Sequence, residues 1–248
     1  MPAAPDSEQP EGSRRVRTLR PRDAATLVVV ERTGREPRIL MGRRRPDQVF
    51  LPDKFVFPGG RVDRADLTAP AADELAPAEV ARLLYDMKGK PSRARVRALA
   101  LAAVRETFEE TGIVLGRSVR GTTPRRAGSW SSFHATGHLP ALSALTFLAR
   151  AITPPGRPRR YDTRFFAVEA REIAMRRTPL DEELSATGWF TIDEVRGLDL
   201  PNITRAVVED LADRLQGGAA LAATVSAIPY YCFTNGTFCR RLITATPP

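Results

Sequence analysis

The chain has 248 residues, of which 42% are hydrophobic and 27% charged, the composition of a soluble globular protein near the upper size of one domain. No stretch approaches the roughly 20 consecutive apolar residues of a transmembrane helix, so a membrane-spanning protein is excluded. The net charge is +9, and all but three of the 38 basic residues are arginines. This composition favours an anionic partner such as a phosphate. A genome composition rich in Ala, Arg and Pro explains the charge equally well.

The two ends of the chain indicate its compartment. Residues 1–22 are rich in proline, serine and charge and contain no apolar block, so they predict a flexible arm and not a signal peptide. Acidic residues precede most arginines of this segment, which argues against a mitochondrial presequence and favours a cytoplasmic location. Cys232 and Cys239 match no zinc or redox spacing, so reduced thiols are expected.

The first elements predict an antiparallel hairpin followed by a broken strand. Residues 25–30 form a β-branched apolar block, and residues 38–41 a second one, with Gly34 as a turn residue between them. A short strand at 54–57 then runs into Pro58, Gly59 and Gly60, where the backbone must bend sharply.

Two helices are predicted next. The first covers residues 77–87, beginning at Pro77 and ending before Gly89. The second covers residues 93–111, where apolar side chains recur at helical spacing, and Gly112 stands where a C-terminal cap is expected.

The second half of the chain predicts more strands than helices. Strand-like segments cover residues 145–152, 164–168, 187–191 and part of 228–243, and a helix covers 204–215. A rigid basic loop, residues 153–160, joins the first two strands. Strands before, between and after helices, without regular alternation, predict the α/β (α+β) class with a mixed sheet flanked by helices.

Three carboxylates stand out on the helix predicted over 93–111. Glu106, Glu109 and Glu110 are three or four residues apart and share a face, and Arg105 lies one turn before Glu109. Carboxylates that close repel one another and favour a hard cation, Mg²⁺ or Mn²⁺, over zinc. The alternative is a solvated acidic face with intrahelical ion pairs.

The surrounding residues resemble the Nudix box, Gly-x5-Glu-x7-Arg-Glu-U-x-Glu-Glu-x-Gly-U, in which U is a bulky aliphatic residue. Residues 57–60 read Phe-Pro-Gly-Gly, Asp66 follows Gly60 at the spacing of the first Glu, and residues 105–113 match the second half. The chain departs from the pattern at Asp66, at Thr107 in an aliphatic position, and in a spacer of 38 residues, which is 31 more than seven. Loop-closure entropy rises slowly with length, so such an insertion is tolerable.

The resemblance implies a Nudix-like α/β/α sandwich with a mixed central sheet. It implies one Nudix domain over residues 23–248 with a helical insertion at about 67–97. A branch of the superfamily, the coenzyme A diphosphatases, is similar in carrying such an insertion and in residues 152–154, 160–166 and 189–190. Its coenzyme A signature is only partly met, because Asp53 stands where that signature has Gly.

The resemblance also implies a metal-dependent hydrolase in which water attacks a diphosphate. Arg105 matches the orienting arginine, and Glu183, six residues before Trp189, is the expected later acid, although exposed loop acids are an equal alternative for Glu183 and Glu182. The resemblance implies that Mg²⁺ or Mn²⁺ is bound by the Gly59 carbonyl and by the side chains of Glu106, Glu109 and Glu110. The catalytic residues that it implies are Arg105, Glu106, Glu109, Glu110 and Glu183.

The expected partner is a small-molecule diphosphate, with coenzyme A or an acyl-coenzyme A as first choice and Arg43 and Arg44 as substrate-binding residues. ADP-ribose, nucleotide sugars and dinucleoside polyphosphates stay open as substrates. A non-catalytic nucleotide-binding regulator is the alternative of another class, and the three retained glutamates argue against it. A nucleic-acid partner is not expected at 7% aromatic residues, and a homodimer is implied by the superfamily without an identifiable interface.

Other candidate groups are given a structural role. The basic clusters Arg125–Arg126, Arg157 to Arg160 and Arg176–Arg177 could meet the phosphates of a substrate, but most of them are expected on the solvated surface. His134 and His138 stand one helical turn apart, but no third ligand accompanies them, so packing or surface positions are expected.

Overall fold

A computed structural model describes residues 19–48, 51–119, 128–218, 221, 227–234 and 236–244. The predicted arm therefore lies outside the described residues except for 19–22, and Arg125–Arg126 lies outside them altogether. The strands are β1 Arg22–Glu31, β2 Arg38–Arg44, β3 Phe55–Val56, β4 Gly59–Arg61, β5 Ile113–Ser118, β6 His138–Pro140, β7 Thr146–Ile152, β8 Tyr161–Glu169, β9 Ile173–Arg176, β10 Leu184–Thr191, β11 Ile228–Thr234 and β12 Thr237–Ile243. The helices are α1 Pro77–Leu84, α2 Arg93–Thr111, α3 Ser131–His134, α4 Ile192–Arg196 and α5 Asn202–Leu215.

Nine strands form a mixed central sheet in the order β10-β2-β1-β8-β7-β11-β12, with β3 paired to β2 and β4 paired to β1. β1 runs parallel to β8 in a continuous register from Arg22 opposite Tyr161 to Val30 opposite Glu169. The remaining strands β5, β6 and β9 form a separate three-stranded sheet. The predicted mixed sheet flanked by helices is confirmed.

Alternation along β1 explains why helices cover both faces of the sheet. Leu27 and Val29 belong to one apolar cluster with residues of α2, whereas Val28 and Val30 belong to a second cluster with residues of α5. All four side chains are fully buried. A strand whose successive residues are all apolar has two buried faces, so it lies in the middle layer of an α/β/α sandwich.

The predicted hairpin separates soon after its turn, and this separation opens the cleft described below. β1 and β2 pair only where Val30 lies opposite Ile39 and Glu31 opposite Arg38. Further along, the edge of β1 pairs with β4 and the edge of β2 pairs with β3. The Phe-Pro-Gly-Gly bend is therefore inserted between two strands that begin as neighbours.

Helix α2 has the bounds expected from the sequence. The Ser92 hydroxyl caps its start by accepting from the Arg95 backbone N–H at 3.2 Å. At the other end Gly112 takes a left-handed conformation with φ of 71° and donates its N–H to the Phe108 carbonyl. Thr107, at the aliphatic position of the motif, is buried and donates its hydroxyl to the Ala103 carbonyl, so it leaves no unpaired polar group inside.

The segment between Asp66 and α2 is the insertion relative to the Nudix box, and it packs on the sheet away from the Phe-Pro-Gly-Gly bend. Its Asp73 accepts from the backbone N–H groups of Leu142 and Ser143 at 2.6 and 2.8 Å. In α1, the buried Glu79 accepts from the Phe147 N–H at 3.0 Å and from Arg82 at 2.9 Å. These contacts hold the segment to β7 and its preceding loop, and the domain bounds stay a prediction.

Several element bounds differ from the sequence-based expectation. β2 extends through Arg44, α1 ends at Leu84, and β10 begins at Leu184 instead of residue 187. β8 begins at Tyr161 instead of residue 164. The charged residues Asp162 and Arg164 fit into this buried strand because they form an ion pair of 2.7 Å with each other.

The C-terminal tail forms the two strands β11 and β12, where one was expected. Cys232 and Cys239 lie directly opposite each other in this hairpin and are both free thiols. Within the described part of the chain, no helix is long and apolar enough to cross a membrane.

Candidate active site

The Gly59–Gly60 bend lies directly against the carboxylates of α2. The Gly59 N–H donates to Glu110 Oε2 at 2.9 Å. A Cβ atom at Gly59, whose φ is 155°, would lie 2.5 Å from the Ala25 carbonyl oxygen. A Cβ atom at Gly60 would lie within 2.6 Å of three atoms of the Glu106 carboxyl group. Both glycines are therefore required sterically, one by β1 and the other by Glu106.

Arg105 orients the cluster from inside. Its guanidinium is almost fully buried and binds Asp66 through two hydrogen bonds of 2.9 and 3.0 Å. Its Nη1 atom lies 2.8 Å from Glu109 Oε2 and 2.9 Å from Glu106 Oε1. Burial acts to lower the pKa of Arg105, but these carboxylates outweigh it and raise the pKa, so the guanidinium stays charged. One arginine thus holds two of the three glutamates predicted to bind metal.

The cluster contains more negative charge than Arg105 balances. Burial raises the pKa of Glu106 to about 7 despite the nearby Arg105. Burial also raises the pKa of Glu109, and it raises the pKa of Glu110 well above the usual range, with added repulsion from Glu106, Glu183 and other acids. Carboxylates in such surroundings bind either protons or another cation.

The loop before β10 brings two more acids to the cluster. Glu109 is tied to this loop because its carbonyl accepts from the backbone N–H groups of Leu180 and Asp181 at 2.8 and 3.2 Å. The Asp181 and Glu183 charges both act on the buried Glu110. Glu182, in contrast, is exposed and pairs with Arg45 at 2.8 Å.

A cleft of about 630 Å³ opens beside the bend, and its lining is strongly basic. Its walls carry Glu106 and Glu183 together with six arginines: Arg20, Arg22, Arg44, Arg61, Arg159 and Arg160. Small side chains of β1 and β8, namely Ala24, Thr26 and Thr163, also line it. This volume and this charge suit a phosphorylated small molecule.

The structure brings most of the predicted site residues together. Arg105, Glu106, Glu109, Glu110 and Gly59 form the cluster described above, and Glu183 lines the cleft next to Arg44, with 3.4 Å between the two side chains. Arg43 does not line the cleft; it pairs instead with Asp53 at 3.2 Å. Successive residues of a strand point to opposite faces, so β2 presents only one of the two arginines to the cleft.

The remaining candidate groups lie outside the cleft. His134 is buried and stacks on Trp130, with 5.9 Å between ring centroids, and His138 is half-buried. Arg176 and Arg177 are both exposed, as expected, and Arg176 lies over the Trp189 ring at 5.3 Å in a cation–π contact.

Comparisons with known proteins agree with this geometry. No family model matches the chain. It is similar to the NUDIX hydrolase from Alicyclobacillus acidocaldarius, whose crystal structure aligns with a TM-score of 0.57 and 27% identity over 82% of this chain and 98% of that one. It is also 28% identical over 155 residues to "Putative nudix hydrolase 7" of Caenorhabditis elegans, covering 58% of this chain and 43% of that protein, so the chain spans less than half of that relative's length.

The structural match covers nearly the whole Alicyclobacillus chain, and the relative found by sequence is also named a nudix hydrolase. The chain belongs to the Nudix superfamily. Its Nudix helix is α2, and its Nudix loop is the bend from Phe57 to Gly60.

The structure adds residues and roles to this Nudix site that the sequence analysis did not give. Asp66, fully buried, accepts from Arg105, from the Trp130 indole N–H at 2.9 Å and from the Asp63 N–H at 2.7 Å. Both of its oxygens are thereby occupied, so it anchors Arg105. The sequence contained a signal for Asp66, namely its place in the motif, but none for Trp130, which is 64 residues away. The basic loop at 153–160 was recognised from the sequence, but the grouping of its arginines with Arg20, Arg22 and Arg61 around one cleft was not.

Proposed function

We propose that the protein is a metal-dependent hydrolase that cleaves a diphosphate bond in a nucleoside diphosphate-linked small molecule. The observation that carries this proposal is the juxtaposition of the Glu106, Glu109 and Glu110 cluster with an arginine-lined cleft. A diphosphate is drawn into the cleft by the guanidinium groups, while the carboxylates supply the sites for a cation beside it.

The donor set fits Mg²⁺ or Mn²⁺. Hard carboxylate oxygens are the ligands that these cations prefer. Burial, with added repulsion from neighbouring acids, raises the pKa of Glu106 and Glu110, and a divalent cation at the cluster would neutralise these carboxylates. Among the described residues no three such side chains form a ready ligand set, because Glu106 and Glu109 bind Arg105 and Glu110 binds the Gly59 N–H. We propose that Glu106, Glu109, Glu110 and the Gly59 carbonyl hold the cation.

When bound, such a cation neutralises the diphosphate and lowers the pKa of a coordinated water. The remaining work is done by side chains of the chain. Arg105 keeps Glu106 and Glu109 on the cleft side of α2, while Arg44 and Arg61 contact the anionic substrate. Glu183, at the cleft wall, is our choice for the base that takes the proton of the attacking water.

We propose coenzyme A or an acyl-coenzyme A as the substrate. The position at which the resemblance calls for glycine is Asp53, and its φ of 58° lies in the left-handed region that glycine adopts without strain. Aspartate is one of the few other residues that tolerate this conformation. The turn before the Nudix loop therefore keeps the glycine-like backbone although the residue differs.

The test is a panel of diphosphates with Mg²⁺, including coenzyme A, ADP-ribose, nucleotide sugars and dinucleoside polyphosphates, with products identified by mass. From coenzyme A we expect adenosine 3′,5′-bisphosphate and phosphopantetheine. Glu109→Gln and Glu110→Gln should lower turnover by roughly 100-fold or more while the protein stays folded. Glu209→Gln, on the exposed face of α5, is the matched control and should leave turnover unchanged.

Full activity in the Glu109 or Glu110 variant would overturn the site. A folded protein that cleaves no compound of the panel but binds one of them would support a non-catalytic Nudix regulator instead. The cytoplasmic location and the homodimer remain predictions made from the sequence.

A further inference from the structure

Three arginines at one end of the cleft form a group that the proposed chemistry does not use. Arg20, Arg22 and Arg159 line the cleft and have no side-chain hydrogen bond or ion pair with any residue in the described ranges. We call these three residues the basic wall. Elsewhere many exposed arginines are paired, as Arg45 is with Asp47 and Glu182. Three guanidinium groups that face one cleft without a counter-charge make an anion site.

The segments that carry the basic wall are fixed to each other. Arg160 donates to the Leu19 carbonyl at 2.7 Å and to the Thr153 carbonyl at 3.0 Å. The Arg22 N–H in turn donates to the Arg160 carbonyl at 2.9 Å, which starts the parallel β1–β8 ladder. Arg160 therefore joins the two segments, and the backbone positions from which the basic wall extends are set before a ligand binds.

The basic wall lies too far from the carboxylate cluster to share its diphosphate. Glu106 is in contact with Gly60, which lies opposite Ala25 of β1. Arg22 precedes Ala25 by three residues and so lies about 10 Å further along the strand, at roughly 3.3 Å per residue. The two phosphorus atoms of a diphosphate share one bridging oxygen and cannot span this distance. Arg44 and Arg61 are already available for the diphosphate.

We propose that the basic wall is a second anion subsite, which binds a phosphomonoester carried by the nucleoside part of the substrate. This proposal rests on the proposed function, because it places the scissile diphosphate at Glu106. It selects substrates that carry a phosphate separate from their diphosphate, as coenzyme A does on its ribose, over ADP-ribose and nucleotide sugars, which carry none.

The decisive comparison uses coenzyme A and 3′-dephospho-coenzyme A, which differ only in this phosphate. With Mg²⁺, we expect kcat/KM for coenzyme A to exceed that for the dephospho compound by about 10-fold to 100-fold, as charge-assisted hydrogen bonds to one phosphate provide. The variants Arg22→Gln and Arg159→Gln should each remove most of this preference and leave cleavage of 3′-dephospho-coenzyme A almost unchanged. Arg157→Gln, with the same charge change in the same exposed loop but outside the cleft, should keep the preference.

A second measurement separates this subsite from the hydrolase activity. The affinities of adenosine 3′,5′-bisphosphate and AMP can be measured by calorimetry without turnover. In the wild type the bisphosphate should bind at least about 10-fold more tightly than AMP, and in Arg22→Gln this difference should disappear. Equal binding of the two nucleotides, equal cleavage of the two coenzyme A forms, or a preference that survives both arginine variants would overturn the subsite while leaving the hydrolase intact. Preferential bisphosphate binding without hydrolysis of any diphosphate would support the subsite and overturn the proposed function.

Discussion

Substituting Gly60 by alanine tests the geometry of the carboxylate cluster most directly. The added Cβ atom would lie 2.4 Å from Glu106 Cδ and 2.5 and 2.6 Å from its two oxygens. Non-bonded carbon atoms in contact are normally about 3.5–4.0 Å apart, so the groups must separate by about 1 Å. The carboxyl group is the end of a side chain, whereas β4 is held to β1 by backbone pairing, so we expect Glu106 to move.

A displacement of about 1 Å at a reacting centre lowers the rate by about 100-fold, so Gly60→Ala should lose about that factor in kcat/KM. The assay is the Mg²⁺-dependent release of phosphorylated products, with circular dichroism and thermal unfolding to show that the variant is folded. Gly197→Ala is the matched control, because Gly197 has an ordinary φ of −79° and its added Cβ would meet nothing closer than 3.4 Å. A folded Gly60→Ala enzyme within about 3-fold of wild type would refute the reasoning, since it would mean that Glu106 need not occupy this position.

Three further changes probe the surroundings of the site. Asp66→Asn should destabilise the protein by about 2–3 kcal/mol in urea unfolding, because the buried Arg105 loses its fully buried charged partner; an unchanged midpoint would contradict this. Asp162→Asn should cost about 3 kcal/mol or more, because it leaves the buried Arg150 without a carboxylate and the buried Arg164 with only the longer 3.6 Å contact to Asp23. Burial acts to raise the pKa of Asp162, but its arginine partners outweigh burial and lower the pKa. The contribution of Asp162 to the free energy of unfolding is therefore complete above about pH 4 and is lost as the pH falls through the lowered pKa. Unfolding measured against pH should show this loss in the wild type and not in Asp162→Asn. Glu183→Gln should lower kcat by about 10-fold or more and Glu182→Gln should not, and equal kinetics of the two variants would remove Glu183 from the mechanism.

Much of the fold and half of the site could be predicted because their signals are local. The apolar residues of α2 repeat with helical spacing between Ser92 and Gly112, so both ends of the helix were predicted correctly. The same spacing placed Glu106, Glu109 and Glu110 on one face. β5, β6 and β9 were missed, because they are short strands whose partners lie elsewhere in the chain and whose sequences carry no alternation strong enough to identify them.

The rest of the site could not be predicted because it depends on contacts between distant segments. Asp66 meets Trp130 across 64 residues, and Arg44 meets Glu183 across 139. The choice between Arg43 and Arg44 was also open in the sequence, since the two are adjacent and alike. The pairing of β2 with its neighbours decides which one faces the cleft.

The 35 arginines among the 38 basic residues indicated an anionic partner from composition alone, and the spacing of the glutamates predicted a cation site on one helix. Both follow from residue type and periodicity, which are properties of short stretches of chain. Only the tertiary structure gathered six of those arginines around one cleft, with Arg20, Arg22 and Arg159 at its wall without a counter-charge among the described residues. The physical reason is the parallel pairing of β1 with β8, in which the Arg22 N–H donates to the Arg160 carbonyl, because backbone hydrogen bonds of this kind leave no signature in the side chains.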